Sequence, residues 1–480
     1  MYKMKFDQLR IFVCFVLFTS LFSCGQNTKK ANKQGANVQE RPNILVILSD
    51  QHSGRVMTQT GYEFVKTPGI DKLAEAGVTF TRSYCTYPVC MPSRASLMTG
   101  FMPSKSNADL MAYKSLGKTM NEAGYETAYF GKWHVSNTKI KDVPEWHGFE
   151  TYKREYNDSK TAQLSMEFIE QKHDKPFFLV TSLLNPHDCC ELARNISGLG
   201  DDYHDGPVEE DMDVLQCPPL PDNFNIPDGE AEGFYTRRTP DSTDKVNFGK
   251  HPVKYWSEEE WRQYIYGYDR LVEKMDNHIL SIVNTLEKNG LLENTIVFYT
   301  SDHGDGHGSH EWNQKMNFYE ESVNVPFVIS WKGHTKAGVI DTKTLTTSGL
   351  DLYPTLCQLA GVPIDGALPG ENLKDYVIES AEKPVNARNY VVSEIIQKEK
   401  NKSGGRVFVG RMVVTEQYKY FLFDGGENPE QFFDLKNDPQ ELKPLIDSKK
   451  HQIEITQHRQ MLKDWIIKTS DDFPIENIPS

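Results

Sequence analysis

Cys90-Met91-Pro92-Ser93-Arg94 holds the residue types best placed to do chemistry. A cysteine two positions before a proline, with an arginine two positions beyond, is poorly explained as packing. Pro92 has no amide hydrogen and a fixed φ, so it suits the first turn of a helix and would break an interior. Cys90 is thereby placed at or just before a helix N-terminus. Unpaired amides and the positive end of the helix dipole converge there and favour anions. Arg94, one turn on, adds a permanent charge with bidentate donors suited to a tetrahedral oxyanion. The plainer alternative is a reduced thiol at an ordinary helix start.

Four further polar clusters each end an apolar run. They are Asp50-Gln51-His52, Gly131-Lys132-Trp133-His134, Asn185-Pro186-His187-Asp188 and Ser301-Asp302-His303-Gly304-Asp305. The runs before them cover 43–48, 125–130, 176–184 and 295–299. Uninterrupted apolar strands belong in a sheet covered on both faces. Helical patterns lie between them, over 69–76, 115–123, 164–171 and 258–289. The alternation predicts an α/β protein with a large, mostly parallel sheet flanked by helices. In such sheets ligands collect at the carboxyl ends of the strands, and every cluster falls at one. Asp50, Asp302 and His303 then put two carboxylates and an imidazole at two strand ends, enough to hold a divalent cation. One such Asp alone is ordinarily a cap. Oxygen-rich ligation favours Ca²⁺, and the imidazole leaves Mn²⁺ open. Lys132 and His134, two residues apart in a strand-end loop, can point to the same side.

The chain has 480 residues, enough for one large domain and a small one. It carries 53 basic and 67 acidic residues, a net charge of −14. Nothing supplies the basic footprint of a nucleic-acid binder. Cations needed for an anionic substrate must therefore be concentrated locally. Residues 1–23 have a basic start and a short apolar stretch, too short to span a bilayer comfortably. Leu21-Phe22-Ser23-Cys24-Gly25 resembles a bacterial lipoprotein signal, with Cys24 the lipidated residue. Residues 24–40 read as a polar tether. A periplasmic or cell-surface lipoprotein, bound to membrane through lipid alone, is the expectation.

Two regions break the α/β pattern. Residues 190–257 are rich in Asp and Pro and read as a substrate-shaping insertion within a domain spanning 41–384. Arg194 and Arg237 are cations within it that can meet an anionic sugar. After about residue 385 the pattern changes to short strands over 390–394, 407–414, 418–423 and 431–435, then a helix over 451–467. This predicts a C-terminal α+β subdomain, 385–480, with an antiparallel sheet and one helix. Of the eight cysteines, Cys85, Cys189, Cys190, Cys217 and Cys357 remain once Cys14, Cys24 and Cys90 are set aside. A dense disulfide scaffold is not indicated.

Cys90 to Gly100 also resembles the signature of the type I, formylglycine-dependent sulfatases of the alkaline phosphatase superfamily. Gly131-Lys132-Trp133-His134, Asn185-Pro186-His187, Lys315 and Phe432-Phe433-Asp434-Leu435 match later blocks of that family. The resemblance implies an alkaline-phosphatase-like fold and hydrolysis of sulfate esters, with sulfated carbohydrates as substrates. It implies that a maturation enzyme oxidises Cys90 to formylglycine (3-oxoalanine), whose hydrate is the nucleophile. Arg94, Lys132 and Lys315 would balance the oxyanion, His187 or Lys315 would protonate the leaving alcohol, and His134 would assist sulfate release. Asp50, Gln51, Asp302 and His303 would be the metal ligands. Similar sulfatases carry Asp-Asp and Asp-Asn or Asp-Gln at these pairs, so Gln51 removes one charge. His310 has no clear family role and is a possible substrate contact. Two alternatives remain: a phosphonate monoester or phosphodiester hydrolase of the same superfamily, and a lipoprotein that binds sulfated glycans without turnover.

Overall fold

All eight residues of β1 (Asn43–Asp50) are buried, because apolar neighbours cover both faces. Ile44, Val46 and Leu48 enter one core and Leu45 and Ile47 the other. β7 (Thr295–Ser301) divides in the same way, with Ile296 and Phe298 against Val297 and Tyr299. The period of two thus feeds two cores at once.

The computed structural model describes residues 41–106, 109–135, 139–198, 200–208, 213–234, 253, 256–378, 387–398 and 407–480. The remaining strands of the large sheet are β2 (Gly77–Phe80), β4 (Glu126–Gly131), β5 (Thr151–Arg154), β6 (Phe177–Pro186), β8 (Phe327–Ser330) and β9 (Val339–Asp341). Their order is β5-β4-β6-β1-β7-β8-β2-β9. Pairing is parallel except where β8 meets β7 and β2. β3 (Ser83–Tyr84) and β10 (Thr346–Thr347) form a small parallel pair of their own.

One face is covered by the helix Glu258–Lys288, opened by a capping box between Ser257 and Glu260. It buries Tyr264, Tyr268, Leu271, Met275, Ile279 and Ile282 against the sheet. The helices Leu116–Glu122 and Ser348–Leu359 cover the other face. The third predicted helix starts earlier than its apolar pattern. It spans Asp158–Ile169, because Asn157 caps a polar first turn that carries no hydrophobic signal.

The C-terminal sheet is an antiparallel meander of β11 (Val391–Lys398), β12 (Val407–Val414), β13 (Tyr418–Phe423) and β14 (Glu430–Asp434). One face packs with Phe318, Tyr319 and Val323 from the larger sheet's side. The other packs under the helix Gln452–Thr469. Arg41–Ser480 forms one compact unit. Cys85, Cys90, Cys189, Cys190, Cys217 and Cys357 are all buried free thiols. Among the described residues no helix is long and apolar enough to cross a membrane.

Candidate active site

Cys90 is the first residue of the helix Cys90–Thr99, and Pro92 lies in its first turn, as the spacing predicts. The thiol is 2% exposed. Its Sγ lies 3.2 Å from Lys315 Nζ, 3.2 Å from His303 Nε2, 3.5 Å from Asp50 Oδ1 and 3.9 Å from Lys132 Nζ. Burial and Asp50 push its pKa upward, yet Lys132, Lys315 and His303 prevail and hold it well below the usual thiol range. The strand ends bring these groups together as expected. β1 supplies Asp50, β4 leads to Lys132, β6 to His187 and β7 to Asp302 and His303.

Gly131 makes the close approach of β4 to β6 possible. Its φ is 105°, and an added Cβ would lie 1.9 Å from Ser182 O. Lys132 N donates to that same oxygen at 2.9 Å. The turn aims Lys132 Nζ at Asp50 Oδ2, 2.7 Å away. His134 follows with a φ of 39°. Its Nδ1 is buried and has no hydrogen-bond partner among the described residues. His187 is 8% exposed, with Nε2 4.0 Å from Asp50 Oδ1. Burial, Lys132 and Lys315 lower its pKa to about 4.

Arg94 takes a different place from the one its sequence position suggests. It is 1% exposed and faces inward. Nε donates to Asp302 Oδ2 at 2.6 Å, one terminal nitrogen to Asp50 Oδ2 at 3.1 Å, and the other to Lys132 O and Ser182 Oγ, each at 2.8 Å. Four of its five N–H donors thus go to protein acceptors, and it is not among the described residues that line the cavity.

Asp50, Cys90, Asp302 and His303 offer ligand atoms that lie within 4.8 Å of one another. His303 Nδ1 is 2.8 Å from Gly304 O, which only accepts. Nδ1 therefore carries the hydrogen, and Nε2 faces Asp50 Oδ1 at 3.8 Å and Asp302 Oδ1 at 3.6 Å. An imidazole nitrogen turned to two fully buried carboxylates suits a divalent cation with oxygen and nitrogen ligands. Burial and the charge on Asp50 raise the Asp302 carboxyl, with Arg94 opposing. Gln51, at a φ of 72°, turns its Oε1 to Lys315 Nζ at 2.8 Å and its Nε2 to Asp305 Oδ2 at 2.7 Å.

A cavity of about 560 Å³ opens over this floor. Cys90, Lys132, His134, His187 and Lys315 line it together with Tyr156, Glu191, His204 and Glu311. Its volume falls within the ~300–1,000 Å³ usual for ligand sites. His204 Nδ1 is 2.6 Å from Asp188 Oδ1, so the imidazole is held in one orientation. That bond raises its pKa above the usual value. Cys190 Sγ reaches Gln314 Oε1 at 3.0 Å, which ties the adjacent cysteines into the wall.

Lys315 sits on a loop with unusual backbone. His307, His310, Glu311, Gln314 and Met316 all have positive φ, from 49° to 80°. L-residues adopt this region at a cost of about 1–2 kcal/mol each. Asn223 O and Phe224 O accept from His310 N and Glu311 N, each at 2.7 Å. Gln397 Nε2 donates to Met316 O, and Lys419 Nζ donates to Phe318 O at 2.9 Å. The insertion and the C-terminal sheet thus both hold the loop.

His310 and Arg194 are not among the described residues that line the cavity. His310 is fully buried and stacks on Tyr319 at 3.8 Å. Arg194 pairs with Glu191 at 2.9 Å and Asp201 at 2.5 Å. Arg237 and Cys24 lie outside the described residues. Sequence reasoning missed Asp188, Glu191, His204 and Asp305. The first and last stand inside the quoted strand-end clusters, Glu191 lies on the helix Cys189–Ile196, and His204 lies in a turn with no periodic signal.

A buried cysteine flanked by lysines, beside a candidate cation site at the strand ends of a mostly parallel sheet, defines a hydrolase of tetrahedral oxyanion esters. The chain belongs to the sulfatase family: residues 42–362 match the family described as Sulfatase. Residues 308–468 match the one described as N-sulphoglucosamine sulphohydrolase, C-terminal. The chain is 30% identical to a Delta 4,5-hexuronate-2-O-sulfatase of Bacteroides thetaiotaomicron, over 91% of each chain. A solved 2-O GAG sulfatase superposes with a TM-score of 0.75 at 28% identity, covering 90% of this chain and 94% of that one. A phosphonate monoester hydrolase of Agrobacterium radiobacter shares the fold, with a TM-score of 0.72 at 22% identity, covering 89% and 96%. The protein is a sulfuric ester hydrolase, and the phosphonate hydrolase reading has no better support than this.

Proposed function

We propose that the protein removes sulfate from a sulfated sugar, through an oxidised Cys90 and a Ca²⁺ held by Asp50, Gln51, Asp302 and His303. The observation that carries this is Cys90 Sγ at the floor of a sugar-sized cavity, 3.2 Å from Lys315 Nζ and beside the carboxylate pair. The relatives that act on 2-O-sulfated hexuronate and GAG substrates support a 2-O-sulfated uronate as the first compound to test. A maturation enzyme, using an external oxidant and releasing the cysteine sulfur, would convert Cys90 to an aldehyde whose hydrate supplies the oxygen for attack on sulfur, and a divalent cation held by Asp50, Gln51, Asp302 and His303 would lower the pKa of that hydrate.

The other groups have separable tasks. Lys132 and Lys315 flank the thiol position and stabilise charge on the sulfate oxygens. Arg94 holds Asp50 and Asp302 in place. His187 is neutral in the free protein, because burial and the two lysines disfavour its charge. A sulfate bound between those lysines neutralises them, and the imidazole then takes up the proton it delivers to the leaving alcohol. His134 offers its unpartnered Nδ1 to accept a proton as sulfate departs.

Initial rates on a panel of sulfated mono- and disaccharides, an aryl phosphate diester and an aryl phosphonate test this reading. Turnover of a sulfated sugar with only residual phosphate chemistry supports it; preference for the phosphonate overturns it. His204 lines the cavity, and with Nδ1 held by Asp188 it is the donor to the sugar in its protonated form. His204→Gln should raise KM about 10-fold with kcat nearly unchanged, the loss of one charge-assisted hydrogen bond. Asp188 raises the His204 pKa, so its protonated form prevails below that value and is lost as pH rises through it. Wild-type KM should therefore worsen as pH rises through that raised value, and the variant's should lack that step.

Cys90 is 2% exposed, so its maturation enzyme acts on the chain before it folds. Lipidation at Cys24 would tether the protein in the periplasm or at the cell surface. Incorporation of radiolabelled palmitate, abolished by Cys24→Ala, tests the anchor.

A further inference from the structure

Gln51 presents a problem that an aspartate would not. An amide has one oxygen and one nitrogen, and only the oxygen can face a cation. It also carries no charge. Asp305 answers both points. It is fully buried. Its Oδ2 accepts from Gln51 Nε2 at 2.7 Å and Gln314 N at 3.0 Å. Its Oδ1 accepts from His307 N at 2.8 Å and Tyr264 OH at 3.0 Å. Backbone amides only donate, and each oxygen receives one, so both oxygens act as acceptors. With Nε2 bound to Asp305, Gln51 Oε1 turns the other way and accepts from Lys315 Nζ, itself 3.2 Å from Cys90 Sγ, while Gln51 N donates to Asp302 Oδ1 at 3.1 Å.

We propose that Asp305 is the positioning residue of the cation site: it fixes the Gln51 amide with its oxygen inward and supplies, one hydrogen bond further out, the negative charge that Gln51 lacks. The same carboxylate pins Gln314, the neighbour of Lys315. This rests on the reading of Asp50, Gln51, Asp302 and His303 as a divalent-cation site.

Calorimetric titration of the chelator-stripped full chain with Ca²⁺ and with Mn²⁺ tests it, on wild type, Asp305→Asn, Gln51→Asp and the double variant. Asp305→Asn should weaken binding about 10–100-fold, the range seen when an outer partner of a metal ligand is lost. With a carboxylate already at position 51, the same Asp305→Asn change should alter affinity by no more than about twofold, because no amide then needs orienting. Equal losses in the two backgrounds overturn the proposal, as does failure to fold in both, since each shows a merely structural role. Unchanged binding in the single variant overturns it too. Failure of wild type to bind either ion overturns the cation reading itself, and is recognised by its appearance before any substitution.

Discussion

Cys90→Ala should lower kcat on a sulfated sugar by about 10⁴-fold or more, the scale of losing a covalent nucleophile. The variant should still bind substrate, because Lys132, Lys315 and His187 line the cavity independently of the thiol. It should also fold normally. The side chain removed is small, and position 90 belongs to none of the four apolar clusters. Rates, equilibrium binding of the sulfated sugar and thermal unfolding, measured together, separate these outcomes. Mass spectrometry of the peptide spanning Cys90 gives the companion result. An aldehyde is expected in protein from a host with the maturation enzyme. An unmodified thiol in active protein would sink the oxidised-cysteine mechanism.

Arg94→Ala should be the most destabilising change at the site, at about 3–5 kcal/mol. Arg94 bridges Asp50 and Asp302, all three fully or almost fully buried. Without it, two carboxylates stay in the interior with Lys132 as the direct lysine partner of Asp50. Asp302, already raised by burial and by Asp50, would resist ionising further. A cation that binds only the folded state offsets part of that loss. Added Ca²⁺ should therefore raise the variant's unfolding temperature more than the wild type's, in scanning calorimetry with and without chelator. A drop no larger than that of a surface arginine would show that the pair is not held as described.

The strand-end clusters were legible because buried parallel strands write continuous apolar runs, and their ends must be polar. Lys132, His187, Asp302 and His303 could be placed on that ground, and Cys90 by Pro92 in the first turn of its helix. Arg94 was placed near the centre, but its orientation was not legible. Sequence position does not say whether a guanidinium faces a ligand or two carboxylates. β2, β5, β8 and β9 were not foreseen, since strands of three or four residues leave too little pattern to distinguish them from loops. Three of the four C-terminal strands were legible to within one residue at each end, whereas β11 runs on to Lys398, four residues past its expected end. His204 was not legible, because it joins the cavity through Asp188, sixteen residues earlier, a contact that no local periodicity encodes; Glu191, on the helix Cys189–Ile196 that follows β6, was read as part of the insertion.

The five positive φ values around Lys315 bear on how such a protein can be taken apart. The loop does not keep its shape by its own preferences; Gln397 and Lys419, from the C-terminal sheet, hold it through Met316 and Phe318. The small sheet is thus no detachable module. Grafting that sheet from one relative onto the larger half of another would carry a change in the reaction centre with it, so recombination across this boundary should succeed only when the loop travels with its clamp.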